Sequence, residues 1–512
     1  MPVPPSSASP FRGPAEPGTA CTIGVDLGTT TLKAVALADS DGRELARAQA
    51  PIALRTDATG AAEQDPVAVY DAATDVLAQV ARALRASGQH VARIGLSAAM
   101  HSILAVGSDD RPLTPALTWI DNRARAQAAA LWASPEGRAL YARTGTPIHA
   151  MTPLLKLMWF RQHRPELLGA RRFVSLKEWV WHGWFGDWRV DASIANASGL
   201  YNLYQGDWDS GALALAGIRR DQLSPIAETL YKGRGLREPR LLDAGLDSVP
   251  VCIGASDGVL ANLGVGATGS ATLVLTVGTS LAARFGSPVP ATDPETRSFC
   301  YVLGPGRFIV GGPSNSGGIL LDWLYHKLLM GPAGTDETLG DLVDAADVET
   351  GALACLPYVA GERAPLWDVD ARAAFVGLDL NHTRAHLMRA AIEGILFNAR
   401  WIVSGLFERI GRPREIVAAG HLFNSAWVRQ AAADIFGLRL RHFPERDASV
   451  TGAVLLARIA TGAADWPDAG REAADAAATE PLNPDAYRPK YERFRRLAAV
   501  LAEHGTGAST AP

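Results

Sequence analysis

Cysteine is scarce and scattered. The four cysteines, Cys21, Cys252, Cys300 and Cys355, lie far apart and form no Cys-x-x-Cys pair or Cys/His cluster. That argues against a disulfide framework or a zinc site and makes a reducing, cytoplasmic setting the expectation. Charge of one sign is not in excess: 49 Lys+Arg against 53 Asp+Glu give a net charge of −4, too balanced for electrostatic capture of nucleic acid. No G-x-x-x-x-G-K-[ST] run occurs, which disfavours P-loop chemistry. The first 20 residues lack the cationic region and apolar core of a secretory signal; rich in Pro, Ser and Ala, they predict a disordered tail. Gly258 to Ala283 is uncharged and long enough to span a membrane, but its five glycines and many hydroxyls predict buried strands and turns instead.

What the chain does contain is apolar. Hydrophobic residues make up 48% and charged residues 20% of 512 positions, a globular balance with ample length for a core. At roughly 150 residues per domain, the length suggests two large domains or three smaller ones. Thr22 to Gly28 reads as an apolar strand, Thr29-Thr30-Thr31 as a tight loop, Leu32 to Ala38 as a second strand and Asp39 to Gly42 as a turn. Within residues 66–86, Val69, Ala73, Val76, Leu77, Val80 and Leu84 fall near helical spacing, and Arg93 to Ser97 reads as a short buried strand. Alternating strands and helices predict an α/β fold around a largely buried mixed sheet. Phe494, Leu497, Ala498 and Leu501 mark an amphipathic helix after the segment Asn483 to Pro489. The first hairpin has an echo: Thr272 to Val277, then Gly278-Thr279-Ser280, then Leu281 to Phe285. Two such units suggest two domains on one plan, divided near residue 265, although Gly-Thr-Ser turns after strands are common.

Several clusters carry chemistry. In Asp26-Leu-Gly28-Thr29-Thr30-Thr31-Leu-Lys33, the glycine permits a tight turn and the hydroxyls and loop amides suit phosphate oxygens. Lys33 adds a cation, and Asp26 suits Mg²⁺, which favours carboxylate oxygen and retained water. A hairpin with hydroxyl-capped turn is the plain alternative; the second loop at Gly278 to Ser280 favours phosphate, since two facing loops can grip a polyphosphate. Gly264 to Gly269 matches G-x-G-x-x-G but precedes a strand instead of opening a helix, so a dinucleotide site fails its context. Asp257, after the apolar run Val249 to Gly254, suits a base that accepts a proton from a hydroxyl attacking phosphorus; capping a helix over Gly258 to Leu263 is its commoner employment. Met100-His101-Ser102, Trp119 to Arg123 and Thr144 to Lys156 offer Asp, Asn and His for hydroxyls and Arg123 or Lys156 for a carboxylate. A satisfied core histidine and a surface ion pair are the competing readings. The tryptophans at 179, 181, 184 and 188 read as core. Gly311 to Gly318 reads as a glycine-rich loop before a helix, suited to a flat base or merely connecting, and Ala418 to Ser425 is similar.

These pieces, in this order, resemble the FGGY carbohydrate kinases of the actin/hexokinase/Hsp70 superfamily, from about residue 22 to 497. The resemblance implies an α/β chain of two actin-like (ribonuclease H-like) domains with an interdomain cleft. They are 21–264 for sugar and phosphate and 265–505 for nucleotide, flanked by tails at 1–20 and 506–512. It implies ATP and Mg²⁺. Asp26 becomes the metal-linked carboxylate and Asp257 the catalytic base. Met100, His101, Trp119, Asp121, Arg123, His149 and Lys156 become the substrate site. Gly28, Thr29, Thr30, Thr31, Lys33, Gly278, Thr279, Ser280, Asn315, Gly318, Asp322, Gly420, His421 and Ser425 become the nucleotide site. Within the family, Ser97 to Ser102, Thr144 to His149 with Pro153 and Lys156, Val174 to Glu178 and Gly254 to Val259 are similar to gluconokinases. The implied reaction converts D-gluconate and ATP to 6-phospho-D-gluconate and ADP. The alternatives are a xylulokinase or other pentulose kinase, which shares Met-His and Trp-x-Asp-x-Arg, and a non-catalytic sugar-acid sensor on the same fold. One departure stands out: the adenine loop usually runs Gly-Gly, and here the second position is His421, whose side chain would crowd the purine or stack on it. The expected partners are a small-molecule sugar acid and ATP, with no nucleic acid and no membrane; a homodimer is left open.

Overall fold

The computed structural model of the protein describes residues 18–329, 338–443, 447–467 and 478–505. Of the expected N-terminal tail, residues 1–17 lie outside the described residues, as does the expected tail 506–512, and Ala20 already opens a strand.

The first hairpin forms where the apolar runs place it. β1 (Ala20–Leu27) and β2 (Thr31–Ala38) pair antiparallel with Asp26 opposite Lys33, and β3 (Glu44–Pro51) extends them. α1 (Pro66–Ala86) begins where the Asp65 side chain accepts from the Val67 amide, and Pro66 occupies the first turn, where no helical donor is needed. Its stripe from Val69 to Leu84 is buried as the spacing requires, each of the six predicted positions being at most 3% exposed. β4 (His90–Ala98) runs parallel to β1. α2 (Pro153–His163) and α3 (Leu176–Phe185) follow, then β5 (Lys232–Gly233) and β6 (Val251–Ser256), which leads into α4 (Asp257–Gly264). The sheet order is β5-β6-β4-β1-β2-β3.

The second half repeats this plan. It contains β7 (Thr272–Val277), β8 (Leu281–Ser287), β9 (Phe299–Gly304), β10 (Arg307–Ser314), α5 (Gly318–Trp323), α6 (Arg384–Ile410), β11 (Glu415–Ala419), β12 (Arg439–His442), α7 (Ala448–Ala460), β13 (Ala478–Thr479) and α8 (Pro484–Gly505). Its sheet order is β9-β10-β8-β7-β11-β12-β13. In each sheet three antiparallel strands continue into two parallel ones, β3-β2-β1-β4-β6 and β10-β8-β7-β11-β12. That is the duplicated actin-like architecture.

Three local expectations need correction. The uncharged run from Gly258 begins as helix α4, because a short apolar run looks alike in a buried helix and a buried strand. Gly311 and Gly312 belong to β10 and not to a loop. A Cβ on Gly311 would stand 2.0 Å from the Ala283 carbonyl oxygen, so glycine serves the close approach of β8. α8 starts at Pro484 and carries Pro489 inside it.

One helix crosses between the halves. α7 lies on β1, β4 and α4 of the first half. A Cβ on Gly95 would meet the Ala453 carbonyl oxygen at 2.1 Å, and one on Gly452 the Leu260 carbonyl oxygen at 2.0 Å. Only glycine lets these backbones touch. Among the described residues one helix, α6, is long and apolar enough to cross a membrane, and 72% of its apolar window is buried in the core.

Candidate active site

Strand ends from both sheets open onto one cleft of about 1730 Å³, lined by Asp26, Asp257, Gly278, Arg284, Gly420 and Ser449 among others. Residues more than 200 positions apart thus face one another. Asp26, buried at the end of β1, accepts hydrogen bonds from Ser97 Oγ at 2.6 Å and Ser449 Oγ at 3.2 Å. Burial pushes its carboxyl above the ordinary range against the pull of those hydroxyls and of Lys33. Asp257 is the first residue of α4, and its Oδ1 accepts from the Gly258 amide at 2.6 Å. The N-cap position falls to Ser256, which makes no side-chain cap bond, so capping does not account for Asp257. Burial first, then the charge of Asp26, pushes its carboxyl up to about 7, with Arg284 pulling the other way. A carboxyl poised there changes protonation near neutral pH, as a general base must.

The phosphate-loop candidates divide. The first tip is Gly28 to Thr30, because Thr31 already belongs to β2. Thr29 turns to the sugar side: its Oγ1 accepts from Trp119 Nε1 at 2.9 Å and its carbonyl from Gln64 Nε2 at 2.7 Å. Thr30 is exposed. Lys33 Nζ donates to Asp447 Oδ1 at 2.6 Å and stands 3.9 Å from Asp26, so this cation links the two halves. Gly278, Thr279 and Ser280 are exposed at the second tip. The Gly318 amide donates to the Gly278 carbonyl at 2.7 Å, which makes Gly318 a brace for that loop.

On the sugar side the two expected cations are already committed. Lys156 is 1% exposed, and its Nζ donates to the carbonyls of His101 and Thr118, each at 2.6 Å. Burial pushes its ammonium down to about 7. Arg123 pairs with buried Asp121 and with Glu63, both at 2.6 Å. Neither has a charge to spare for a carboxylate. His101 is buried in a left-handed backbone conformation, φ 68°. The Ala197 carbonyl at 2.8 Å can only accept, so Nδ1 carries the proton. Burial pushes the imidazoles of both His101 and His149 down to about 3, so both are neutral. Met100 is partly buried and packs against the hydrophobic core, and the tryptophans at 181, 184 and 188 are core.

The nucleotide side is looser. Gly420 lines the cleft at φ 114°, and a Cβ there would meet the Val277 carbonyl oxygen at 1.9 Å, so glycine is required. His421 and Asp322 are exposed. Ser425 is buried, and its Oγ has no partner among the described residues. Asn315 faces elsewhere: its Oδ1 accepts from Arg363 Nε at 2.8 Å and its backbone N–H donates to Glu362 Oε1 at 2.8 Å.

The first half, residues 21–264, matches the N-terminal domain of the FGGY family of carbohydrate kinases, and residues 273–461 match its C-terminal domain. The chain belongs to the FGGY carbohydrate kinases. It is 36% identical to a gluconokinase of Bacillus subtilis (strain 168) over 88% of this chain and 90% of that one. The crystal structure of gluconate kinase from Lactobacillus acidophilus superposes with a TM-score of 0.88 at 32% identity, covering 95% of this chain and 99% of that one. Ligand-bound xylulose kinase from Lactobacillus acidophilus matches with the same TM-score and identity over 94% and 98%. An FGGY kinase is a phosphotransferase with an alcohol group of a sugar as acceptor, and kinase membership implies ATP as donor.

In this FGGY kinase three charged side chains in and around the candidate site were not singled out from the sequence. Arg284 is a charged residue inside an apolar strand, and that anomaly was a usable signal. Glu362, 1% exposed, accepts from the hydroxyls of Ser314 and Ser316 and holds the turn before α5. Arg363 lies 5.3 Å over the Trp119 ring and is the leading charge that keeps His149 neutral. Only the fold brings Glu362 and Arg363 to the site.

Proposed function

We propose that this kinase transfers the γ-phosphoryl group of ATP to the terminal hydroxyl of D-gluconate, giving 6-phospho-D-gluconate and ADP. The observation that carries the reading is the Asp257 carboxyl, poised at about 7 in a cleft shared with Gly278 and Gly420 of the other half. Asp257 accepts the proton of the attacking hydroxyl at a carboxylate oxygen, while the two tips and Gly420 hold the nucleotide in line. Asp26 fits Mg²⁺: among the described residues its side chain meets only hydroxyl donors at hydrogen-bond distance, and Mg²⁺ takes one or two carboxylates, waters and phosphate oxygens. When bound, the ion would neutralise phosphate charge. Among the described residues no group of three or more His, Cys, Asp or Glu is arranged to hold a metal, which suits a cation that arrives with the nucleotide. Closure of lobes spanning 21–264 and 265–505 would exclude water. The four cysteines are free and buried, which fits a cytoplasmic setting.

The sugar-acid preference draws support from the gluconokinase relatives and from Arg363. Among the described residues its guanidinium donates only to neutral acceptors, Asn315 Oδ1 and the Ser314 carbonyl, and has no carboxylate within 4.0 Å. The similarity to xylulose kinase keeps a pentulose as the second reading. ADP release measured with gluconate, xylulose, ribulose and glycerol decides. Gluconate should rank first; xylulose in first place overturns the substrate, and gluconate binding without sugar-dependent ADP release would mean a sensor.

A further inference from the structure

Four arginines line the cleft: Arg43, Arg47, Arg284 and Arg458. Three have an acidic partner within 4.0 Å: Arg43 with Asp41, Arg47 with Asp447, and Arg458 with Asp39. Among the described residues Arg284 has none, although it is 8% exposed. Its Nη2 donates to Thr276 Oγ1 at 3.2 Å, and its Nε is buried with no acceptor among the described residues. A buried guanidinium without an anion costs stability, so the site is built at a loss until an anion arrives. Position matters equally. A Cβ on Gly258 would stand 3.1 Å from Arg284 Nη1 and 3.2 Å from Met100 Cε. Arg284 therefore lies where the Asp257 turn meets the sugar strip, and Gly258 leaves the space between them open. Burial pushes the guanidinium down to about 10, against the charge of Asp257, so it stays protonated at neutral pH.

We propose that Arg284 is a catalytic residue that binds the phosphoryl group in transit from ATP to the acceptor hydroxyl. This rests on the kinase reading above. As the acceptor oxygen bonds to the γ-phosphorus, the bond from that phosphorus to the β,γ-bridging oxygen breaks. The bridging oxygen leaves on ADP with the electron pair, and the hydroxyl proton passes to Asp257. Arg284 gains and loses no proton. It supplies N–H donors to the equatorial oxygens, over which negative charge is spread. Lys33 does not serve equally, because Asp447 neutralises it.

The test uses the full chain with Arg284→Ala and Arg284→Lys. Removing a donor to a developing charge lowers kcat by about 10²–10³-fold. We expect that loss in Arg284→Ala, with gluconate and ADP affinities, measured by calorimetry, changed less than about threefold. Binding of ADP with aluminium fluoride and gluconate, a mimic of the transferring group, should weaken by a similar factor. Arg284→Lys should keep part of the rate, and added guanidinium should restore part of it to Arg284→Ala, which a merely structural role would not allow. Three results overturn the assignment: near-parental kcat, a raised KM for gluconate with kcat retained, or a loss that neither guanidinium nor lysine relieves and that spares the mimic. A parent protein without sugar-dependent ADP release would instead sink the kinase reading itself.

Discussion

Replacing Asp257 by Asn should slow turnover sharply and stabilise the protein in the same stroke. The Asp257 carboxyl is held up to about 7 in place of its ordinary 3.8. At pH 8 the folded protein therefore carries a carboxylate in a site that disfavours it, while the unfolded chain carries it freely. Each pKa unit corresponds to about 1.4 kcal/mol, so the full displacement amounts to about 4 kcal/mol. Water reaching the open cleft reduces this to about 1–2 kcal/mol. The sign follows from proton binding: the folded state holds this proton more tightly, so its stability declines as pH rises from about 4 to about 7. The neutral amide escapes that decline. In thermal melts at pH 8, Asp257→Asn should melt roughly 2–4 °C above the parent, and the gap should shrink by more than half at pH 5. In the ADP-release assay its kcat should fall by about 10²–10⁴-fold, and the parent's kcat/KM should rise with pH through about 7. A variant that melts no higher at pH 8, or turns over near the parental rate, refutes the role given to Asp257.

Gly95→Ala would drive a Cβ against the Ala453 carbonyl oxygen and lift α7 off the first sheet; a loss of about 3 kcal/mol or more should appear as a large drop in melting temperature. Lys156→Met removes the donor to the His101 and Thr118 carbonyls. It should cost about 1–3 kcal/mol in a denaturant titration and leave the ratio of kcat/KM for gluconate over xylulose nearly unchanged. Arg363→Met should raise KM for gluconate by about 10–100-fold, the worth of a charge-assisted hydrogen bond, while activity on neutral xylulose moves little; equal losses on both would remove Arg363 from acid recognition.

The first hairpin, its echo and α1 were legible in advance because strand runs, Gly-Thr tips and a Pro-led amphipathic helix are written in neighbouring residues. Asp26, Asp257, Gly278 and Gly420, which line one cleft, could be picked out for the same reason: each sits at or just after the end of a strand. The substrate cations were misjudged. Nothing near Arg123 in sequence announces Glu63 beyond the expected Asp121, and nothing near Lys156 announces the three carbonyls that absorb its ammonium. The Gly311 and Gly312 pair looked like a loop because glycine serves flexible turns and close-packed strands alike.

By itself the sequence determined the local backbone: which segments extend, where they turn, and where acid and glycine stand together, because those preferences act over a few bonds. The tertiary structure alone decided which charges remain available. Lys33 is neutralised by a residue 414 positions away, and α7 returns to a sheet built from the opposite end of the chain. Among the described residues Arg284 is left facing the cleft with no acidic partner within 4.0 Å. Electrostatic pairing and desolvation depend on distance in space, so only the folded chain could assign them.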